Sequence, residues 1–534
     1  MIKTYTLLCL CLLIFVTVNA QTPNQYYPNS FKFYQKLDNT LYNSGTRLHT
    51  SMRPFFIDDS VLARPVDSLL NNGVDTSRKT WVSRKLFNEH LLQVNNADYT
   101  VYADFLPDFM IGKDFTGKKT TWLNTRGFQA GGSIGKKFSF YTSGYENQAS
   151  APDYYRDYAS SIEVVPGQSR YRKPYEENLD WSYVTALISY TPIKYLNITV
   201  GQDKNFIGDG YRSMILSDFA SNYPFLKLTA KLGNVQYTAM WAAMQDPGAP
   251  QVSYDAGNRR KGGVFHYLDW NVSKRLSLGF FDAVVWAQTD SLGNKRGFDW
   301  SYANPIIFLR PLEDMSGSPD NAAIGFTAKY KVLNKTALYG QFFLDEFVAS
   351  DFFKKDGDFK NKWGLQLGLR GADLFNVTNL NYLAEFNTAK PYTYSERNRV
   401  LNYAHYNEPL AHPYGANFRE TVGILSYSYK RFDVSAQFNY AKYGLDTDSL
   451  NYGKDIFKPY GTAVNKKGNF IGQGLTTNFY YGDIRTSFLI NPKYNLRFEL
   501  SFTTRTEKNA MENSKANFIS FGLRSSFRNL YQDF

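Results

Sequence analysis

From Asp98 to Phe534 the chain runs in segments of about ten residues that alternate apolar and polar side chains, a two-residue period that suits strands and excludes helices. Tyr494, Leu496, Phe498, Leu500 and Phe502 alternate without exception with Asn495, Arg497, Glu499, Ser501 and Thr503. Phe432, Val434, Ala436, Phe438 and Tyr440 alternate with Asp433, Ser435, Gln437 and Asn439, and Ile519, Phe521, Leu523 and Phe527 with Ser520, Gly522, Arg524 and Ser526. Each strand so written has one apolar and one hydrophilic face. A soluble sandwich and a membrane barrel both fit that description.

Connection lengths separate the two. Very short links join strand candidates at Gly135 to Lys137, Pro192 to Lys194, Gly233-Asn234, Val272 to Lys274, Leu333 to Lys335, Gly371 to Val377, around Arg431, and Asn491 to Lys493. Between those pairs lie connections of mostly 15 to 35 residues, roughly Gln148 to Asp180, Asp203 to Tyr223, Gln245 to Lys261, Gln288 to Asn321, Ala389 to Asn417 and Leu445 to Ile471. Two are shorter, near Ala349 to Phe359 and Lys508 to Ser514. Strict alternation of short and long is the pattern of periplasmic turns and extracellular loops in outer-membrane barrels. With one strand before the first pair, near Asp98 to Phe105, and one after the last, the count is about 18; it becomes 16 if Gly474 to Ile490 is misread. The terminal Phe534, after a strand with outward Ile519, Phe521 and Leu523, resembles a barrel-assembly signal.

The expected fold is therefore all-β: a transmembrane outer-membrane β-barrel of about 18 antiparallel strands with a short helical N-terminal segment. Composition agrees. The 534 residues include 41 Tyr and 42 Phe at 43% hydrophobic content, yet mean hydropathy is only -0.42. Side-by-side lipid and water faces reconcile those values. Trp122, Trp181, Trp241, Trp286 and Trp363 fall near strand ends, where they are expected at the headgroup levels.

Met1 to Ala20 reads as a secretory signal peptide: Lys3, an apolar run from Tyr5 to Val18, then Val18-Asn19-Ala20. Both cysteines, Cys9 and Cys11, lie inside it, so the mature chain is expected to have no disulfide, Cys-zinc site or thiol nucleophile. Residues 21–97 form an N-terminal periplasmic or plug segment with one helical candidate, Trp81 to Val94, in which Phe87, Leu91 and Val94 share a face. The barrel is expected to occupy 98–534.

No nucleophile elbow, H-E-x-x-H helix or phosphate loop is present, so no enzyme activity, cofactor or catalytic residue is expected. His405, Glu408 and His412 share one long loop without metal-ligand spacing, and an ordinary polar loop is the expectation. Gly208-Asp209-Gly210 lacks the third glycine of a phosphate loop and reads as a tight turn. Inward Arg497, Glu499 and Arg524 read as solvated ladders, or as selectivity charges if the barrel is a pore. The net charge of +12 is spread among acidic residues, so nucleic acid is not an expected partner, whereas acidic glycans and lipid headgroups are. Two loops mix tyrosine with cations in a way that suits stacking on sugars: Tyr154, Tyr155, Arg156, Tyr158, Arg170, Tyr171, Arg172, Lys173 and Tyr175 in one, Lys390, Tyr392, Tyr394, Arg397, Arg399, Tyr403, Tyr406 and Tyr414 in the other. The same tyrosines also suit packing over the barrel mouth.

The run Gly201 to Asp218 (GQDKNFIGDGYRSMILSD), leading into Tyr223-Pro224, resembles the signature segment of Wzi-type capsule-assembly outer-membrane proteins. Closer still is the gliding-motility RemB family, similar in Asn304 to Pro311, in Tyr339-Gly340-Gln341 with Asp345-Glu346-Phe347, and in Leu410 to Glu420. Phe206, Ile207 and Asp209 depart from the Trp- and Pro-rich capsule version and favour the motility branch. The resemblance implies an 18-stranded outer-membrane barrel with a helical portion near the periplasmic opening, and a role in holding capsular or other surface polysaccharide, in gliding motility or in adhesion. Expected partners are outer-membrane lipid, surface polysaccharide, and motility, secretion or adhesin proteins. The glycan- or partner-binding residues expected in the loops are Tyr155, Arg156, Tyr171, Arg172, Lys204, Asp209, Tyr211, Arg212, Tyr394, Arg397, Tyr406 and His412. The alternative expectation is a porin-like channel for small polar or charged solutes, because a barrel of about 18 strands leaves an aqueous lumen unless something fills it.

Overall fold

A computed structural model describes residues 25–57, 60–172, 178–254, 256–290, 293–298, 300–306, 320–346, 356–447, 449–525 and 527–534. The expected signal peptide, Lys173, Tyr175, Phe347 and most of the segment Asn304 to Pro311 lie outside the described residues.

Alternation along the chain becomes a closed antiparallel barrel of 18 strands. They are β1 (Tyr99–Asp114), β2 (Lys119–Ile134), β3 (Phe138–Ser150), β4 (Leu179–Ile193), β5 (Leu196–Asp203) and β6 (Tyr223–Leu232). Next come β7 (Val235–Asp246), β8 (Arg259–Trp270), β9 (Leu276–Ala287), β10 (Asn321–Leu333), β11 (Thr336–Glu346) and β12 (Lys362–Gly371). The last are β13 (Leu380–Ala389), β14 (Phe418–Tyr429), β15 (Phe432–Leu445), β16 (Leu475–Asn491), β17 (Leu496–Lys508) and β18 (Asn513–Arg524). All the expected short links are turns at one end of the barrel, and Gly474 to Ile490, apart from Gly474 itself, belongs to one strand, β16. The first strand is longer than expected because it carries the closure. Its later half pairs with β18, from Asp114 opposite Phe518 to Phe109 opposite Leu523. Its first residues pair with a short strand at Leu92–Asn95. Closure leaves the ladders no free edge in lipid.

The apolar phase faces outward. Phe498, Leu500 and Phe502 are 46%, 48% and 45% exposed, whereas the intervening Glu499, Ser501 and Thr503 are 6%, 4% and 0% exposed. Two of the strand-end tryptophans are covered by protein. Trp181 is buried and donates to Gln168 at 2.9 Å, and Trp286 is covered by Tyr302 at 5.2 Å between ring centres. In both cases local loop residues supply a better partner than lipid.

The lumen is filled from the short-turn end by residues 25–57. Ser30 caps helix α1 (Phe31–Gln35), its hydroxyl accepting from the Phe33 amide at 3.4 Å, and α2 (Asp38–Leu41) follows. Tyr34, Leu37, Leu41, Tyr42 and Phe55 form their apolar core. This segment touches the wall on several sides: Tyr26 donates to Asn197 on β5 at 3.1 Å, Lys331 on β10 donates to the Asn43 carbonyl at 2.8 Å, and Arg370 on β12 pairs with Asp38 at 2.6 Å. Lys36 meets Asp433 on β15 at 2.7 Å.

Helix α3 (Ser60–Leu70) follows, and the expected helix over Trp81 to Val94 is only α4 (Trp81–Phe87). Asp104 of β1 accepts from the Leu91 amide at 2.8 Å and lies 2.6 Å from His90, which draws the chain from helix into strand pairing. From the other end, α5 (Asp153–Ile162) and the long loops fold inward. Phe534 comes after the last strand, as expected, but not directly: β18 stops at Arg524, and the tail returns into the lumen, where Phe534 packs 4.4 Å from Tyr158.

Candidate functional site

The segment between β5 and β6 runs through the middle of the lumen. Gly208 has φ 144°, and a Cβ there would come within 2.3 Å of the Gln341 side chain. A Cβ on Gly210 would meet Glu385 at 2.2 Å. Both glycines are therefore required by close approach. Between them, Asp209 accepts from Tyr42 at 3.0 Å, from Ser51 at 2.8 Å and from Thr50, with Lys329 of β10 at 3.7 Å. Burial pushes the Asp209 carboxyl up, but Lys329 and these donors outweigh it and hold it at about 2.

Arg212 is the hub. Its Nη2 donates to Glu420 at 3.1 Å and to Asp533 at 2.9 Å, while its own amide donates to Glu385 at 3.1 Å. His412 lies 2.7 Å from Glu420, and burial lowers its ring to about 4 against the pull of that carboxylate. Tyr211 donates to Asp533 at 2.9 Å. Lys204 donates to the Asp218 carbonyl at 2.8 Å, and Tyr394 donates to the Met214 carbonyl at 2.8 Å.

Lys204, Asp209, Arg212, Tyr394 and His412, expected among the glycan-binding residues, are thus enclosed side chains that tie the lumen contents together. An enclosed side chain does not reach a polymer outside. Tyr155 is half-buried and packs on Phe534 at 5.6 Å, and Tyr171 packs on the cluster around Trp181. Arg156, half-buried on α5, pairs with Asp157 at 3.1 Å, and Arg172, on exposed loop surface, pairs with Asp180 at 2.9 Å. Arg397 is exposed and donates to the Tyr460 hydroxyl at 2.6 Å. No metal cluster forms among the described residues. Instead Glu408 accepts from the Gly167 amide at 2.6 Å and the Ser221 amide at 2.7 Å, apart from His412.

One expected residue lines an open cleft. Tyr406 and Asn407, at φ 56° and 63°, form the tip of a two-residue turn between Ala404–His405 and Glu408–Pro409. The Tyr406 amide donates to the Gln245 carbonyl at 2.9 Å, which fixes this tip against the long-loop end of β7. Beside it lies a cleft of about 380 Å³ lined by Gln202, Asn222, Gln245, Arg260, His405 and Tyr406. Amides both donate and accept, Arg260 adds a cation and Tyr406 a ring, a set that matches the hydroxyls, carboxylates and faces of acidic sugars. Gln202, Gln245 and Arg260 were not among the expected residues. Their signal was a polar side chain in the outward phase of a strand where a long loop begins.

No family model matches the chain, and no curated protein matches it. Among solved structures, the chain resembles Wzi, described as an outer-membrane protein involved in group 1 capsule assembly in Escherichia coli and a carbohydrate-binding β-barrel. Identity is 14%, with 95% of this chain and 100% of Wzi covered, at a TM-score of 0.55. Pseudomonas aeruginosa OprD aligns at 8% identity over 79% of this chain and 94% of its own, with a TM-score of 0.43. Acinetobacter baumannii OccAB2 aligns at 8% over 80% and 99%, with a TM-score of 0.42. At these identities the likeness is one of fold: an outer-membrane β-barrel.

Proposed function

We propose that this chain is a non-enzymatic barrel of a Gram-negative outer membrane whose outward long-loop rim holds surface polysaccharide, capsule or exopolysaccharide. The observation that carries the reading is the rim cleft beside Tyr406, an amide- and arginine-lined surface that stays open at the long-loop end of the barrel. The fold likeness to Wzi, a carbohydrate-binding barrel, supports it. The alternative, a porin-like channel, has less support because the N-terminal segment, the loop around Arg212 and the tail to Phe534 occupy the bore. A role in gliding or adhesion, with motility, secretion or adhesin partners, rests on the sequence segments resembling the RemB family.

The test is binding of the purified mature protein to an acidic polysaccharide such as alginate across a salt series. Salt-sensitive binding that weakens severalfold in Arg260→Gln and Tyr406→Ala is expected. Binding equal in both variants, or steady conductance from the full-length protein in planar bilayers, overturns the reading. In cells, a clean deletion with normal capsule retention and normal surface spreading also overturns it.

A further inference from the structure

A chamber of about 180 Å³ remains inside the short-turn half of the barrel, between α1, the strands β14 to β18 and the returning tail. That is well above the space one water needs. Its wall carries the charges that alternate with the lipid-facing phase of β16 and β17. Glu499 accepts from three guanidinium groups, those of Arg497 at 2.9 Å, Arg485 at 3.3 Å and Arg524 at 3.4 Å. Asp483 pairs with Arg485 at 2.7 Å. Asp108, behind Arg524, pairs with it and lies 3.8 Å from Arg528. Lys36 is neutralised by Asp433, and Asp533 is committed to Arg212.

Lys32 completes the ring. It follows Phe31 on α1, whose Phe31 and Tyr34 turn toward the core, so its side chain projects into the chamber. Lys32 has no hydrogen bond or ion pair among the described residues. Nη2 of Arg497 likewise has none, since that guanidinium uses Nε on Glu499 and Nη1 on the Asn495 carbonyl at 3.2 Å. The cations Lys32, Arg485, Arg497, Arg524 and Arg528 therefore share the carboxylates Glu499, Asp483 and Asp108, and positive charge is in excess. Lys32 is exposed to the water of the chamber and Arg497 partly so, and an excess of one sign of charge around such a recess raises the local concentration of ions of the other sign. A cation without a partner beside a guanidinium with a free terminal donor makes a two-point receptor for a planar or tetrahedral oxyanion.

We infer that this chamber is a binding site for the carboxylate or phosphate group of a small polar ligand, with Lys32 and Arg497 as its direct donors. Arg485 and Arg524, both held by Glu499, supply the surrounding field. The volume admits an inorganic phosphate or a single sugar acid rather than a polymer. The site is separate from the rim cleft, so failure of either leaves the other standing.

The experiment is calorimetric titration of the full mature protein in detergent with inorganic phosphate, with glucuronate and with glucose. Saturable binding of an anion, weakened at least tenfold by Lys32→Ala combined with Arg497→Gln and restored in part by Lys32→Arg, is expected. Repeating the titration in an Arg260→Gln background separates heat from the rim cleft from heat of the chamber. Binding of phosphate alone assigns the ligand to the phosphate class, and binding of glucuronate alone to the sugar acids; both support the site. An unaltered thermal transition in the double variant separates lost binding from lost folding. Binding of neither anion, equal binding of glucose, or undiminished anion binding by a folded double variant overturns the inference.

Discussion

Asp533 accepts a hydrogen bond from Nη2 of Arg212 at 2.9 Å, across 321 positions of sequence, and both side chains are buried. The same carboxylate accepts from Gln437 at 2.7 Å and Asn439 at 3.0 Å on β15. The tail, the central loop and the wall therefore meet at one point. Removing Arg212 leaves Glu420 and Asp533 enclosed and uncompensated, a change that costs about 3–5 kcal/mol for a buried pair. Arg212→Ala is expected to lower the opening free energy of residues 204–222 by that order in hydrogen exchange, while strand amides of β16 and β17 stay protected. Equal protection in variant and parent would show that the loop is held elsewhere.

The tail itself closes space. Phe534 packs against Tyr154, Tyr155 and Tyr158, and Tyr531 donates to Asp218, so the residues after β18 join α5 to the central loop. Truncation after Arg524 is expected to leave the barrel intact, since its last strand pair ends by Leu523, and to produce intermittent conductance absent from the parent. Bilayer recordings with heat-modifiability gels measure both properties. A truncated barrel as silent as the parent would assign the seal to the N-terminal segment alone.

Outward and inward positions respond oppositely to charge. Leu500, in the middle of β17, is 48% exposed in the lipid-facing phase, and Ser501 bonds Ser520 at 2.6 Å inside. Leu500→Arg is expected to cost about 2–4 kcal/mol near the bilayer midplane. Ser501→Ala removes only a hydrogen bond, about 1 kcal/mol. Equilibrium refolding into vesicles compares them, and similar costs would contradict the assigned faces.

How far these features are legible in sequence follows from their range. Leu500 and Ser501 declare their faces through a period of two, and Gly233-Asn234 declares a turn through two residues alone. Asp209 is legible as part of a tight loop, but nothing local says that Tyr42 and Lys329 will enclose it. Tyr394 and Tyr406 read alike as loop tyrosines, yet one is sealed beneath Tyr403 and the other lines the cleft. A loop's composition is the same whether it folds over a mouth or down into it. The tail shows the reverse error: Phe527 continues the alternation of β18 on paper, whereas the chain has already left the wall and packs Phe527 on Phe33 at 5.3 Å.

Glu408 makes the loop contents sensitive to pH. It receives the Gly167 and Ser221 amides and the Ser221 hydroxyl, yet burial outweighs these donors and Lys204 and pushes its carboxyl from the ordinary 4.5 up to about 7. A carboxyl that holds its proton more tightly when folded makes the folded state bind more protons than the unfolded state between about 4.5 and 7. Its contribution to stability is thus fully present below 4.5, falls as pH rises through that window, and levels off above 7. Glu408→Gln keeps a carbonyl acceptor for the Gly167 amide and removes the titration. Hydrogen exchange at Gly167 and Ser221, corrected for intrinsic rates, is expected to show parent minus variant stability declining across the window and constant above it. A difference that is flat throughout, or that rises with pH, would mean that Glu408 is ionised in the folded loops and that its three donors, rather than its burial, set its charge.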